Sequence, residues 1–173
     1  SRDSTQYWQV YHHKITNTQK LYLNDTSAQV SSSMWPQYPT QHEFSINDGT
    51  NDSWIAYCFS SIEGYSLISD YQSTSAKNFI YCGFKPAFLI VKKVTNSGDA
   101  SYEGWIMFDS ARGKYNLNQE SLYANRSYVE SKRGQNAAVG STFGVDFMSN
   151  GFVFRDNATE YNRSNNLQYV FMA

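Results

Sequence analysis

Residues 83–93, Gly-Phe-Lys-Pro-Ala-Phe-Leu-Ile-Val-Lys-Lys, and residues 104–113, Gly-Trp-Ile-Met-Phe-Asp-Ser-Ala-Arg-Gly, decide the fold class. Both stretches carry short aromatic and β-branched runs bounded by turn-forming residues, a pattern typical of strands. Similar runs recur, and no window of a dozen residues carries a helical stripe. The sequence therefore predicts an all-β fold, a β-sandwich of jelly-roll type. The predicted strands are Tyr7–His12, Lys20–Leu23, Glu43–Ile46, Ser53–Phe59, Tyr65–Tyr71, Asn78–Cys82, Ala87–Val94, Glu103–Asp109, Ser121–Ala124, Phe143–Phe147, Gly151–Arg155 and Gln168–Met172.

The composition agrees with one β domain over residues 1–173. The chain contains 14 Tyr, 11 Phe and 4 Trp, whereas charged residues make up only 17%. A net charge of −1 gives no basic face for nucleic acid. The longest apolar run, Pro86–Val91, is far shorter than the roughly 20 residues that span a bilayer as a helix. We therefore expect neither nucleic acid nor a membrane as a partner.

Four segments of the first half match four segments of the second half in the same order. The offset between the matched segments grows from 97 to 115 residues, as insertions in surface turns would cause. The matched pairs are 7–12 with 104–109, 21–24 with 122–125, 44–46 with 152–154, and 54–58 with 169–173. This order predicts a degenerate internal duplication, with halves 1–60 and 83–173 joined by 61–82. The alternative is that any two aromatic-rich strands resemble each other.

The first half has no counterpart of residues 83–93 ahead of Trp8. We therefore expect the corresponding strand to lie upstream of residue 1, in a longer tandem or mosaic protein.

These motifs resemble a domain of marine bacteriophage tail-fibre and virion proteins. The resemblance rests on residues 83–93 and 104–113, on Trp-Ile-Ala-Tyr-Cys-Phe at 54–59, on Phe-Met-Ser-Asn-Gly-Phe at 147–152, and on the closing Tyr-rich strand at 169–173. It covers essentially the whole chain, although the loop after Tyr71 lacks the Gly-Asn-Gly usual in that family. It implies a virion protein of a fibre or similar surface appendage, which contacts other virion proteins or copies of itself. It carries no catalytic residues and no cofactor, so we expect the protein not to be an enzyme.

Asp109 and Arg112 form the most distinctive charged pair of the sequence. They lie three residues apart just beyond a predicted strand, where a carboxylate and a guanidinium can pair and stabilise a turn. The alternative is that Asp109 is an acid or a ligand. Glycoside cleavage would need two carboxylates about 5–10 Å apart on one concave face. Asp109, Glu43, Glu63 and Glu103 are the candidates for such a pair.

The histidines and the oxygen-rich loop give weak indications of chemistry. His12 and His13 should point to opposite faces of a strand and therefore chelate a metal poorly, and the third histidine is His42. Residues 47–52, Asn-Asp-Gly-Thr-Asn-Asp, could bind calcium, but a hairpin turn explains them fully. Cys58 and Cys82 allow one disulfide, or each is a small buried strand residue. We expect no metal and no cofactor.

Loop aromatics are the remaining candidates for binding. Trp35 and Tyr38 lie in the Pro-bearing loop Met-Trp-Pro-Gln-Tyr-Pro at 34–39, where they could stack on host-surface sugars. The alternative places Trp35 over an open end of the sandwich. The sequence thus predicts a non-catalytic virion structural and adhesive module that contacts host-surface glycans, and the second hypothesis is a carbohydrate-binding or carbohydrate-cleaving β-sandwich domain.

Overall fold

The structure, a computed structural model, describes residues 6–50, 52–74, 76–95, 104–132, 143–163 and 166–173. Within these ranges it contains twelve strands and no helix, so the all-β prediction is confirmed. The strands are β1 (Gln9–Val10), β2 (Gln19–Tyr22), β3 (Val30–Ser31), β4 (Ile68–Gln72), β5 (Asn78–Tyr81), β6 (Phe88–Lys93), β7 (Trp105–Asp109), β8 (Glu120–Tyr123), β9 (Ser131–Lys132), β10 (Val145–Met148), β11 (Gly151–Phe154) and β12 (Gln168–Met172).

A six-stranded antiparallel sheet in the order β4-β12-β6-β7-β8-β9 forms the centre of the fold. The Leu89–Val91 part of strand β6 is apolar on both faces, because Leu89 and Val91 face one layer and Ile90 faces the other. A strand buried on both faces is expected to have such an uninterrupted apolar run.

The first face of the central sheet packs against a three-stranded sheet in the order β10-β11-β5. The interface is mainly aromatic. Phe154 stacks on Tyr161 with ring centroids 4.3 Å apart, and Phe152 meets Phe171 edge-on at 5.3 Å. Burial of these large rings is the main source of stability on this face.

The second face packs against another three-stranded sheet in the order β1-β2-β3. Leu21 and Trp105 are buried in this smaller core, and Trp105 Nε1 donates a hydrogen bond to the backbone oxygen of Tyr22 at 2.7 Å. The architecture is a β-sandwich in which the central sheet is covered on both faces. The jelly-roll connectivity and the single-domain boundaries stay predictions.

Two predicted strands are absent, and two observed strands were not predicted. Residues 43–46 form no strand, because Thr40 hydrogen-bonds back to the Glu43 carbonyl in a local turn. Residues 53–59 also form no strand, since no neighbouring strand pairs with them in the described part of the chain. The strands that sequence analysis missed, β3 and β9, are only two residues long.

The β1–β2 and β7–β8 hairpins have the same register. Gln9 pairs with Tyr22, and Ile106, which lies 97 residues after Gln9, pairs with Tyr123, which lies 101 residues after Tyr22. The same offset of 101 relates the β2–β3 pairing, Gln19 with Ser31, to the β8–β9 pairing, Glu120 with Lys132. The offsets of 97 and 101 are those of the sequence match.

A hydrogen bond from a backbone N–H to an asparagine side chain also recurs in the two hairpins. The Trp8 N–H donates to Asn24 Oδ1 at 2.8 Å, and the Trp105 N–H donates to Asn125 Oδ1 at 2.9 Å.

The segment 61–82, which joins the two matched halves, is not a simple linker, because its strands β4 and β5 pair with β12 and β11. The correspondence between the hairpins supports a duplication, which itself stays a prediction.

Candidate functional site

A polar cleft of about 330 Å³ lies beside β1 and β2, where the loop 47–54 approaches them. The side chains that could contact a ligand there are Gln9, Lys20, Asn47, Asp48, Asp52 and Trp54. Amides, carboxylates, one ammonium group and one indole ring form a lining suited to a hydroxyl-rich ligand.

Asp48 organises the loop that forms one wall of the cleft. Its carboxylate accepts hydrogen bonds from the backbone N–H of Thr50 at 3.0 Å, from the Thr50 hydroxyl at 3.0 Å, and from Trp54 Nε1. The Thr50 backbone N–H and then the indole N–H lower the pKa of Asp48, since they stabilise its charged form. Asp48 is therefore a permanent acceptor at neutral pH and is poorly suited to act as a general acid.

The described carboxylates among those considered for glycoside cleavage lie elsewhere. Glu43 and Glu63 are exposed, Asp109 is the last residue of β7, and Glu103 lies outside the described residues. None of the three that the structure describes, Glu43, Glu63 and Asp109, lines the cleft.

Asp109 and Arg112 stabilise the turn after β7. Asp109 Oδ1 accepts the backbone N–H groups of Ala111 and Arg112 at 3.0 and 2.9 Å, and its other oxygen pairs with the Arg112 guanidinium. Arg112 Nε also lies 3.1 Å from a Glu130 oxygen. Both oxygens of the Asp109 carboxylate are therefore bonded within the turn. The contacts give no support to a role for Asp109 as a catalytic acid or a ligand.

Trp35 and Tyr38 are placed differently. The Trp35 side chain is buried and packs edge-on against Tyr11 with ring centroids 5.6 Å apart, whereas Tyr38 is exposed. A buried indole presents no face to a sugar, so Tyr38 is the accessible member of the pair. The aromatic residue of the cleft is Trp54, which sequence analysis assigned to the predicted strand Ser53–Phe59.

The predicted orientation of His12 and His13 to opposite faces of a strand is wrong. Their rings stack 5.0 Å apart, because both residues follow β1 in a turn, where side chains do not alternate between faces. Burial and then the neighbouring His13 lower the pKa of His12 to about 4. His12 Nδ1 accepts the Lys14 backbone N–H at 3.2 Å. The imidazole thus takes the position that the Asp109 carboxylate occupies in the second hairpin.

The family model for a domain of unknown function, DUF7483, matches residues 1–173. The chain belongs to this family. No curated protein and no solved structure matches it.

In this DUF7483 chain, the two cysteines are separate. Cys58 is an exposed free thiol and Cys82 is a buried one, so they form no disulfide. Over the ranges that the structure describes, no three His, Cys, Asp or Glu side chains come close enough to hold a metal ion. The described residues also include no helix that could cross a membrane.

The DUF7483 chain also exposes a prominent apolar stretch, residues 55–59 (Ile-Ala-Tyr-Cys-Phe), which we call the apolar segment. Ile55, Tyr57 and Phe59 are 66%, 69% and 67% exposed. The Tyr57 ring stacks against the exposed Trp8 ring, with centroids 6.3 Å apart. Sequence analysis missed this surface because the alternation that predicts a strand also suggests burial of its apolar residues.

Proposed function

We propose that this chain is a non-catalytic structural and adhesive module of a bacteriophage tail fibre or a similar virion appendage. The ordered motifs at 54–59, 83–93, 104–113 and 147–152 support the proposal through their resemblance to tail-fibre and virion proteins. The all-β architecture is compatible with such an appendage.

The observation that carries the structural role is the exposed apolar segment together with Trp8. Soluble monomers rarely leave large apolar side chains contiguous and exposed, and such patches commonly mark interaction sites. In an appendage, other virion proteins or further copies of the chain would cover this surface. Burial of a side chain such as Tyr57 or Phe59 would stabilise the contact by about 2 kcal/mol.

Support for the adhesive role comes from the polar cleft. Its carboxylates and amides can accept and donate hydrogen bonds to sugar hydroxyls, and Trp54 offers an apolar ring nearby. The loop that carries Asp48 and Trp54 is held together by its own hydrogen bonds, so part of the site is organised before a ligand binds.

Labelling of intact particles tests the proposed location. Gold-conjugated antibodies raised against the purified chain are applied to purified particles of the phage that encodes it, and particles of a phage without this chain serve as the control. We expect electron microscopy to show label on a surface appendage. Absence of the chain from purified particles, by labelling and by mass spectrometry, would overturn the proposal.

The second candidate function is carbohydrate cleavage in the same cleft, since Asp48 and Asp52 are both in its wall. This function requires release of reducing ends from a bacterial surface polysaccharide, and the release must be lost in Asp48→Asn or Asp52→Asn. We expect no release from the wild type, because the Asp48 carboxylate is already hydrogen-bonded to Thr50 and Trp54 of its own loop. Release that depends on either carboxylate would replace the non-catalytic proposal.

A further inference from the structure

The two matched hairpins differ in what lies on their outer side. In the second hairpin, β7 pairs with β8 on one side and with β6 on the other. In the first hairpin, β1 pairs with β2 and is the edge of its sheet in the described part of the chain. The side of β1 that corresponds to β6 is therefore an open edge.

The backbone of Gln9 faces this open edge. The Leu23 N–H donates to the Trp8 carbonyl at 2.9 Å, just as the Ala124 N–H donates to the Trp105 carbonyl at 3.1 Å. Successive residues of an antiparallel strand direct their backbone groups to opposite sides. Because Trp8 bonds toward β2, the N–H and C=O of Gln9 point away from β2.

The second half indicates what fits this edge. There, Val91 of β6 lies opposite Ile106 of β7, and β12 pairs with the other side of β6. The residue of the first half that corresponds to Ile106 is Gln9, and the segment that corresponds to β12 by sequence is 54–58. The position equivalent to β6 is thus bordered by β1 and by the apolar segment, whose Tyr57 stacks on Trp8.

The charge of the neighbouring cleft complements a strand of the β6 type. If the incoming strand pairs with β1 as β6 pairs with β7, its counterpart of Val91 lies opposite Gln9. Its counterpart of Lys93 then lies two residues further along the incoming strand, on the same face as the counterpart of Val91. This end of the incoming strand points toward the residues just before β1, where Gln6 lines the cleft together with Asp48 and Asp52. The two carboxylates outnumber Lys20, the ammonium group in the same cleft wall, so a lysine at this end of the incoming strand would enter a cleft of net negative charge.

We propose that the open edge of β1 binds an extended strand of a second polypeptide that has the residue pattern of β6, with alternating apolar residues followed by lysine. The strand adds to the β1-β2-β3 sheet, and its apolar residues cover Trp8 and the apolar segment. Main-chain hydrogen bonds to Gln9 supply affinity, and the side-chain pattern supplies specificity. The sequence alone led us to expect this strand upstream of residue 1, and the inference assigns it to a partner polypeptide instead. It deepens the proposed function and rests on it, because it specifies the partner that the structural module would take.

The test uses a labelled, end-capped peptide with the sequence of residues 83–93 and the whole chain as the binding protein. Fluorescence anisotropy of the peptide is measured against increasing concentrations of the wild type. We expect saturable binding that weakens at least tenfold when the two C-terminal lysines of the peptide are replaced by glutamates. A wild type that shows no saturable binding would overturn the inference.

Two variants at one position locate the binding edge. Gln9→Pro removes the N–H that faces the open edge, whereas Gln9→Ala keeps it and serves as the matched control. Near-ultraviolet circular dichroism and the thermal midpoint verify that both variants are folded. We expect Gln9→Pro to weaken peptide binding at least tenfold relative to Gln9→Ala. Equal binding by the two folded variants would overturn the proposed edge.

The occupant and the proposed function are tested separately. A stable homodimer of the wild type that Gln9→Pro dissociates would show that a second copy occupies the edge, which would overturn the assignment to a β6-type strand. Label on virions combined with failure of peptide binding would refute only this inference. Absence from virions combined with peptide binding would refute the proposed location and retain the binding edge.

Discussion

Trp105 and Asn125 are joined by a hydrogen bond in which the tryptophan backbone N–H donates to the asparagine Oδ1 at 2.9 Å. The same bond joins Trp8 to Asn24 at 2.8 Å. In each hairpin this bond satisfies one further backbone N–H beyond those that pair the two strands. The two bonds differ in their surroundings, since Trp105 is buried in the central sheet and Trp8 is exposed.

This difference predicts unequal costs for the two asparagine-to-alanine changes. Asn125→Ala leaves the N–H of a buried residue without its acceptor and should lower the free energy of unfolding by about 1–2 kcal/mol. Asn24→Ala, the matched control, leaves the Trp8 N–H bonded to water. It should lower the free energy of unfolding by less than about 1 kcal/mol. Urea unfolding of both variants measures the difference. Equal losses would contradict the account of these two bonds.

Stability should fall as the pH is lowered from 7 to 4, because of His12. The pKa of its imidazole is about 4 in the folded chain, below the usual 6.5, so below pH 6.5 the unfolded chain binds the proton more readily. The loss builds up as the pH falls toward 4 and is on the order of 3 kcal/mol when complete. His13, Lys14 and Asp70 are the charged or titratable neighbours that act on His12.

The variant His12→Asn should reduce this pH dependence while keeping a side-chain acceptor for the Lys14 N–H. Thermal unfolding between pH 4 and pH 7 measures the effect, and substitution of the exposed His42 by Gln is the control. If the slope of stability with pH is the same in the wild type and in His12→Asn, His12 is not its origin.

Gly151 should tolerate no side chain. A Cβ atom there would lie 2.2 Å from the carbonyl oxygen of Ile80 on the neighbouring strand β5. Gly151→Ala should therefore force β11 away from β5 and cost roughly 3 kcal/mol. Gly49→Ala is the control, since Gly49 has a positive φ but open space around it. This change should lower the free energy of unfolding by about 1 kcal/mol. Comparable losses in the two variants, measured by urea unfolding, would contradict the close packing of β5 and β11.

The Tyr161 hydroxyl should contribute to stability on the aromatic side of the sheet. It accepts the Gly144 backbone N–H at 2.7 Å and donates to Asp156 at 2.9 Å. Tyr161→Phe leaves the buried Gly144 donor unpaired and should cost about 1–3 kcal/mol, whereas the control Tyr81→Phe changes an exposed ring and should cost little. A Tyr161→Phe protein as stable as the wild type would remove this role.

The central strands could be predicted from sequence because their identity is local. In β6 and β12, consecutive apolar residues are required by burial on both faces, so the predicted strands lie within one residue of the observed bounds. Residues 53–59 have an equally strong pattern and form no strand. Strand formation also needs a paired neighbour, and that requirement is not encoded in the segment itself.

The cleft could be predicted only in part. The sequence predicts a hairpin turn at 47–52, and Gly49 has the positive φ of a turn, but the hairpin is wrong because the flanking segments 43–46 and 53–59 form no strands. The loop's approach to Lys20 and Gln9 depends on packing across some thirty residues of chain, which no local pattern reveals. Trp35 illustrates the same limit, because its Pro-bearing loop left open both stacking on a sugar and packing over an end of the sandwich, and contact with Tyr11 buries the ring.

Saccharide binding by the isolated chain tests the adhesive claim most directly. The wild type, Trp54→Ala and the control Tyr115→Ala, which changes an exposed ring outside the cleft, are applied to an array of bacterial surface glycans. We expect the wild type and Tyr115→Ala to bind the same glycans and Trp54→Ala to lose at least tenfold in affinity. Absence of binding to any glycan, or binding unchanged in Trp54→Ala, would contradict adhesion through this cleft.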